Sequence, residues 1–315
     1  MKCNMKYTFM LVLTAVIWGA AFVAQVAGME HVGPFTFNGI RSIIGALVLA
    51  PSAWFMDKKE GVLTPWKDKT LVLGGLICGV VLFLATSSQQ IGIMTTSSGK
   101  AGFLTALYMV LVPIFSIALR KRPGKQIWLC VLLALIGMYL LCIEGELSIQ
   151  AGDLWLIACA ALFALQILAV DKFAPNVDVI KLSCYQFAVT GVLSIIPLIQ
   201  EKPVLDNVME CWLPIAYAGV LSSGVAYTLQ MEAQKKVNPT VASLIMCLES
   251  VFSAVFGFII LGERLSGREI AGCLVMLSAV VLTQIPLKRK PKLVKDAEPV
   301  DKVESIEHVE NMVGA

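Results

Sequence analysis

The sequence has 315 residues, 57% hydrophobic and 15% charged, with a net charge of +3 at pH 7 and a mean hydropathy of +0.80. That is too little charge to cover the surface of a soluble domain. The small excess of basic residues says nothing about nucleic acid, because those residues fall between apolar blocks rather than on one face.

Ten apolar runs follow one another, at residues 7–27, 35–56, 71–93, 99–119, 126–143, 154–171, 181–199, 212–231, 240–261 and 269–286. A bilayer is crossed by a helix of about 20 residues, and helices satisfy their own backbone in lipid. The reading is a polytopic, all-α membrane protein. The basic start and apolar stretch of "MKCNMKYTFMLVLTAVIWGAAFVAQVAG" resemble a signal peptide. The stretch is longer than a signal core, and a similar helix recurs later, so it reads as a retained first span.

Each span carries a few polar side chains, and spacings of three, four and seven place some of them on shared faces. In the first span these are Trp18 and Gln25. In the second they are Asn38, Arg41 and Gly45. The third ends in "TSSQQ", which includes Gln89. Thr105 and Tyr108 share a face of the fourth span, and Ser223, Tyr227 and Gln230 share one in the eighth. Gln166 and Gln186 add amides from the sixth and seventh. Two roles are open to each residue: stapling neighbouring helices, or lining a solute path. As a lining they would present aromatic faces and neutral hydrogen-bonding groups, which suits a small amphipathic organic solute better than a bare ion.

Only two charges fall well inside a span, Arg41 and Glu249. Arg41 lies about 9 Å from its helix start; it either snorkels to the interface or serves a site, for example by binding a carboxylate. Glu249 lies about 13 Å in and is too short to snorkel. Three readings stand for it: a neutral acid bonded to a neighbouring helix, a proton carrier, or a ligand for the positive group of a solute.

With ten spans and cytoplasmic termini, twenty Lys and Arg residues fall in the inner segments and four in the outer loops. That is a strong positive-inside asymmetry and places the chain in the cytoplasmic membrane. The juxtamembrane residues Lys288, Arg289, Lys290 and Lys292 can touch anionic lipid, and the acidic remainder of the tail, 287–315, reads as disordered. Seven of the nine cysteines lie in or beside apolar runs with no CxxC pair, which reads as packing rather than metal or redox chemistry. His31 and His308 fall in a loop and the tail. No cofactor or nucleotide motif is present.

The halves repeat. "GKQIWLC" from Gly124 matches "GREIAGC" from Gly267 at an offset of 143; Gln89 and Ala101 match Gln230 and Ala242 at 141; "WGAAF" from Trp18 aligns with "FALQI" from Phe163 at 145. At these offsets Arg41 falls on Gln186 and Tyr108 on Glu249. Five spans per repeat is an odd number, so the second half enters the membrane from the opposite side. Inverted repeats are a transporter architecture with the substrate site near the midplane.

"WGAAF", "FNGIRSIIGALVL", "LVP" and "LESVFSAVFGFIILGERLSGREIAGCLVML" together resemble the EamA family of the drug/metabolite transporter superfamily, over residues 7–286. Ser250 stands where the family usually has proline, while Pro113 is present in the first repeat. The resemblance implies ten helices in two inverted five-helix repeats, 7–143 and 154–286. It also implies export or exchange of a small metabolite by alternating access. The expected partners are a small-molecule solute and membrane lipid, with a homodimer compatible. Proton coupling would rest on Glu249. The alternatives are an uncoupled facilitator and, further off, a membrane enzyme or receptor.

Overall fold

The computed structural model describes residues 5–62, 64–96, 98–120, 123–143, 150–262 and 264–285. The tail expected to be disordered, 287–315, lies outside the described residues. The described residues are helical and contain no strand.

Fourteen α-helices are formed among the described residues. The first half of the chain holds α1 (Met5–Met29), α2 (Pro34–Glu60), α3 (Lys69–Ile93), α4 (Ser98–Ala106), α5 (Tyr108–Ala118) and α6 (Lys125–Cys142). The second holds α7 (Ala151–Phe173), α8 (Val179–Glu201), α9 (Leu205–Glu210), α10 (Trp212–Tyr217), α11 (Tyr227–Gln234), α12 (Pro239–Met246), α13 (Glu249–Phe256) and α14 (Gly267–Gln284). A π-helical stretch, Ala218–Ala226, joins α10 to α11, and another, Gly257–Leu261, follows α13.

Several helices outrun their apolar windows because polar caps set their ends. Pro34 opens α2 with its φ already helical. Asp68 accepts from Leu71 N at 2.9 Å to start α3, and Asp178 accepts from Ile180 N and Lys181 N to start α8. Ser266 and Glu269 form a reciprocal capping box on α14.

Among the described residues, nine helical stretches are long and apolar enough to cross a membrane. The expected eighth span, 212–231, is the exception. It is helical through α10, the π stretch and α11, and it carries Ser222, Ser223, Tyr227 and Gln230.

Equivalent helices of the two halves pack on each other, α2 on α8 and α6 on α14. Both pairs run antiparallel. At one end of the first pair, Glu201 of α8 accepts from Phe35 N (2.9 Å), Thr36 N (2.7 Å) and Thr36 Oγ1 (2.6 Å) at the start of α2. At the other end, fully buried Lys181 of α8 pairs with Asp57 of α2 at 2.6 Å and donates to Thr64 O at 2.7 Å. In the second pair, Gln126 at the start of α6 donates to Leu282 O and Ile285 O at the end of α14, while Arg268 at the start of α14 lies over the Tyr139 ring. The α6 and α14 backbones touch through glycines: a Cβ on Gly137 would fall 2.8 Å from Gly272 O, and one on Gly272 would fall 2.7 Å from Gly137 O. The remaining contacts exchange in the same way. α3 packs on α7, and α1 packs on α10, the π stretch and α11; α4 and α5 meet α7, and α12 and α13 meet α1.

Candidate functional site

Two helices break where the halves meet. Between α4 and α5, Leu107 N bonds Leu104 O at 3.3 Å and Val110 N bonds Leu107 O at 2.9 Å, a tight i to i−3 turn. Between α12 and α13, Leu248 N bonds Ile245 O at 3.2 Å and Ser250 N bonds Cys247 O at 3.3 Å, the same device. The second break forms with serine at position 250, so it does not require the proline usual there. The residues that follow the breaks are Tyr108 and Glu249, equivalent at the offset of 141, and the Tyr108 hydroxyl donates to Glu249 Oε1 at 3.1 Å. On the other side of Glu249, Gly19 of α1 brings the two backbones together; a Cβ there would fall 2.9 Å from Glu249 O and 2.6 Å from Phe252 Cβ.

Around this point lies a cavity partly open to solvent, with about 510 Å³ of space between atoms when the open side is counted in. Both halves wall it in matched positions. Trp18, Ala21 and Phe22 of α1 face Phe163, Gln166 and Ile167 of α7 at the offset of 145. Gln89 and Tyr108 match Gln230 and Glu249 at 141. Arg41, Gln25, Thr105, Ser222 and Tyr227 complete the wall. Ten of the fourteen residues singled out in the sequence therefore lie together: Trp18, Gln25, Arg41, Gln89, Thr105, Tyr108, Gln166, Tyr227, Gln230 and Glu249.

Asn38 and Gln186 do not line the cavity. Asn38 is completely buried, and the longer Arg41 side chain, one turn further along α2, takes the cavity position. Gln186 sits one layer behind. It accepts from Gln166 Nε2 at 3.1 Å, and Gln166 in turn accepts from Gln230 Nε2 at 3.3 Å. Gln230 Nε2 also donates to Gln234 Oε1 at 2.9 Å, and Gln234 Nε2 to Ile167 O at 3.0 Å. In the second half these amides staple α7, α8 and α11 to each other. Gln89, the equivalent of Gln230, has no hydrogen-bond partner among the described residues, which leaves its amide turned to the cavity.

The eighth-span face differs from the expected one by a residue. Ser222, not Ser223, lines the cavity with Tyr227 and Gln230. Residues 218–226 wind as a π-helix, whose repeat brings residues five apart into line. Ser223 turns instead to α2, where a Cβ on Gly45 would fall 2.9 Å from its Cβ. Thr14 Oγ1 donates to Ala226 O at 3.2 Å and Tyr217 Oη to Ile17 O at 3.1 Å, tying both ends of the π stretch to α1.

Aromatic rings form much of the wall. Trp18 and Tyr227 lie 4.7 Å apart at 57°, Phe187 meets Tyr227 edge-on at 5.1 Å, and Tyr108 meets Phe163 edge-on at 6.4 Å. Arg41 is 6% exposed and does not snorkel. Its Nη1 donates to Gln25 Oε1 at 3.3 Å, and among the described residues it has no ion pair. Sequence reasoning missed Ala21, Phe22, Phe163 and Ile167, whose apolar side chains carry no polar signal; the offset of 145 from Gln166 and Trp18 would have found Ala21 and Phe163.

The profile of the EamA-like transporter family matches this chain twice, over residues 5–143 and 150–285. A transporter of Archaeoglobus fulgidus with no assigned substrate is 28% identical over 87% of this chain and 84% of its own. An inner membrane transporter of Salmonella typhimurium, YicL, is 23% identical over 90% and 96%. The S-adenosylmethionine/S-adenosylhomocysteine transporter of Chlamydia muridarum is 24% identical over 81% and 84%. A solved crystal structure superposes with a TM-score of 0.72 over 88% of this chain and 96% of that one, at 19% identity. With its two halves each matching the family profile, this chain belongs to the EamA-like transporter family.

Proposed function

We propose that the chain moves a small organic metabolite across the cytoplasmic membrane by alternating access, with two inverted five-helix repeats, 7–143 and 154–286, rocking about the shared cavity. The observation that carries this reading is the partly matched wall: five positions of one half recur in the other, so a motion of one half that opens the cavity to one side has a counterpart in the other half that opens it to the opposite side. The antiparallel α2/α8 and α6/α14 pairs support the inversion, and the paired helix breaks before Tyr108 and Glu249 provide flexible points at the cavity itself. Both termini are cytoplasmic on the twenty-to-four charge asymmetry. The names borne by the relatives favour transport over membrane catalysis, and one relative carries solutes with adenosyl and amino-acid parts.

The experiment is efflux from proteoliposomes loaded with a defined metabolite mixture and read by mass spectrometry. Alternating access predicts saturable efflux that an external competing solute accelerates by exchange. A facilitator with a continuous path predicts efflux that external solute leaves unchanged or slows.

A further inference from the structure

We propose that the buried pair of Lys100 and Asp153 is a latch that favours the state in which the cavity opens toward the face bearing Lys202, outside in the proposed topology. The other half has no such pair, so the two access states are unequal. The inference rests on the transport reading and goes beyond it to what sets the balance of its two states.

Two identical halves in an inverted repeat would give access states of equal energy, because each state is the other with the halves exchanged. Within the chain, an energy difference comes from positions at which the halves differ. Lys100 and Asp153 are such a place. The start of α7 lies against the turn between α3 and α4: a Cβ on Gly152 would fall 2.6 Å from Thr96 Oγ1 and 3.0 Å from Gly92 O. Asp153 of α7 pairs with Lys100 of α4, and accepts from Thr96 Oγ1 at 3.2 Å and Gln150 N at 2.7 Å. The Asp153 side chain is 3% exposed and that of Lys100 16%. The equivalent of Asp153 at the offset of 145 is Thr8, at the start of α1. The equivalent of Lys100 at 141 is Val241, near the start of α12. α1 packs on α12 as α7 packs on α4. The same joint is thus built at the opposite face, where a threonine and a valine cannot form an ion pair.

The structure itself is the state such a latch favours. Toward the face bearing Lys67, α5 packs on α12, and Met109 and Ser243 are completely buried. Their equivalents at the offset of 141 are Ser250 and Gly102, on α13 and α4 toward the Lys202 face. There a Cβ on Gly102 would meet, among the described residues, only the Ser250 hydroxyl at 3.9 Å, and Gly102 is half-buried. The packing is closed toward Lys67 and looser toward Lys202. In the exchanged state the α7–α4 joint adopts the arrangement that the α1–α12 joint has here, which is fitted to an uncharged pair. Two charges brought into it lose the contact they have now, and a buried charge without its partner is costly. Leaving the present state therefore carries a penalty that returning to it does not.

The test uses a cysteine at position 89 in a cysteine-depleted chain, in proteoliposomes of known orientation without solute. A membrane-impermeant thiol reagent is added from one face at a time. The ratio of the rate from the Lys202 face to that from the Lys67 face reads the balance of states. Asp153→Asn keeps the size and one acceptor oxygen, and Lys100→Met keeps most of the stem. Each is expected to lower the ratio at least about fivefold, since a charge-assisted hydrogen bond is worth roughly one to two orders of magnitude in an equilibrium constant and the partial exposure of Lys100 takes some of that away. The double variant is expected to lower it no further than one substitution alone, as for two groups that act only through each other. Thr8→Asp with Val241→Lys, which moves the latch to the other half, is expected to lower the ratio as well; should that chain not fold, the first three variants decide. An unchanged ratio, or both rates changing by one factor, would assign the pair to packing and overturn the latch. Shifts that add in the double variant would overturn it too. Labelling from both faces with an unchanged ratio removes the latch and leaves transport standing. Labelling of the parent from one face alone, unaltered by solute, removes the transport reading and the latch with it.

Discussion

Glu249 and Tyr108 are equivalent in the repeat and bonded in the structure. The sequence therefore contained the pair as an alignment, but not the contact, because that depends on two helices breaking at the same depth. The bond is expected to be worth about 0.5–1.5 kcal/mol net. Tyr108→Phe should accordingly lower thermal stability by a few degrees and leave solute flux within about threefold. Glu249→Gln keeps the acceptor and the size but not the charge, so it should fold in near-parental yield with flux down at least about tenfold. The check is melting temperature in detergent alongside initial efflux rate. The same comparison separates the two glutamines related by the repeat. Gln230 belongs to the amide chain through Gln166, Gln186 and Gln234, so Gln230→Ala should reduce folded yield. Gln89 makes no such bonds among the described residues, so Gln89→Ala should reduce flux with yield intact. Size-exclusion profile and efflux, measured on both variants, check this. From sequence the two positions looked alike; which amide was spent on packing was not legible, since it depends on neighbours three helices away.

At the scale of elements, hydrophobic run lengths located the helices well, and ten of the fourteen candidate residues lie on one cavity. The π stretch at Ala218–Ala226 is where helical spacing misled, because a count by three and four assumes α geometry. A cysteine at Ser222 in a cysteine-depleted chain should react with a small thiol reagent and be protected by transported solute. A cysteine at Ser223 should react at least about tenfold more slowly, since its side chain lies against Gly45 of α2 and not on the cavity that admits the reagent. Comparable rates at the two positions would mean that the stretch winds as an ordinary α-helix. The clamps on α2 and α8 belong to this scale too. Lys181 is fully buried with Asp57, and removing one partner of a buried pair costs about 3–5 kcal/mol. Asp57→Leu should therefore sharply lower folded yield, and Asp57→Leu with Lys181→Met should recover part of it. Fluorescence-detected size exclusion of the single and double variants measures both effects. No residue spacing pointed to this clamp, because both charges sit near helix ends, where Lys181 counts only as one of the basic topology markers and Asp57 carries no signal.

For the whole molecule, the repeat was read from three offsets in the sequence; the helices that those offsets relate, α2 with α8 and α6 with α14, pack on each other, and five offset pairs lie on one cavity. What the sequence lacked was the packing order, in which each half is completed by the other rather than by itself. The proposed topology puts Lys67 on the cytoplasmic side and Lys202 outside; reagent added to intact cells should label a cysteine at 202 and not one at 67. The central claim is that one cavity, built by both halves, opens to each side in turn. Its most direct test is a cysteine at position 89 in proteoliposomes of known orientation, exposed to a membrane-impermeant thiol reagent from one side at a time. The account predicts labelling from either side, with saturating solute changing the two rates in opposite directions as the population shifts. Labelling from one side only, unaffected by solute, would contradict it.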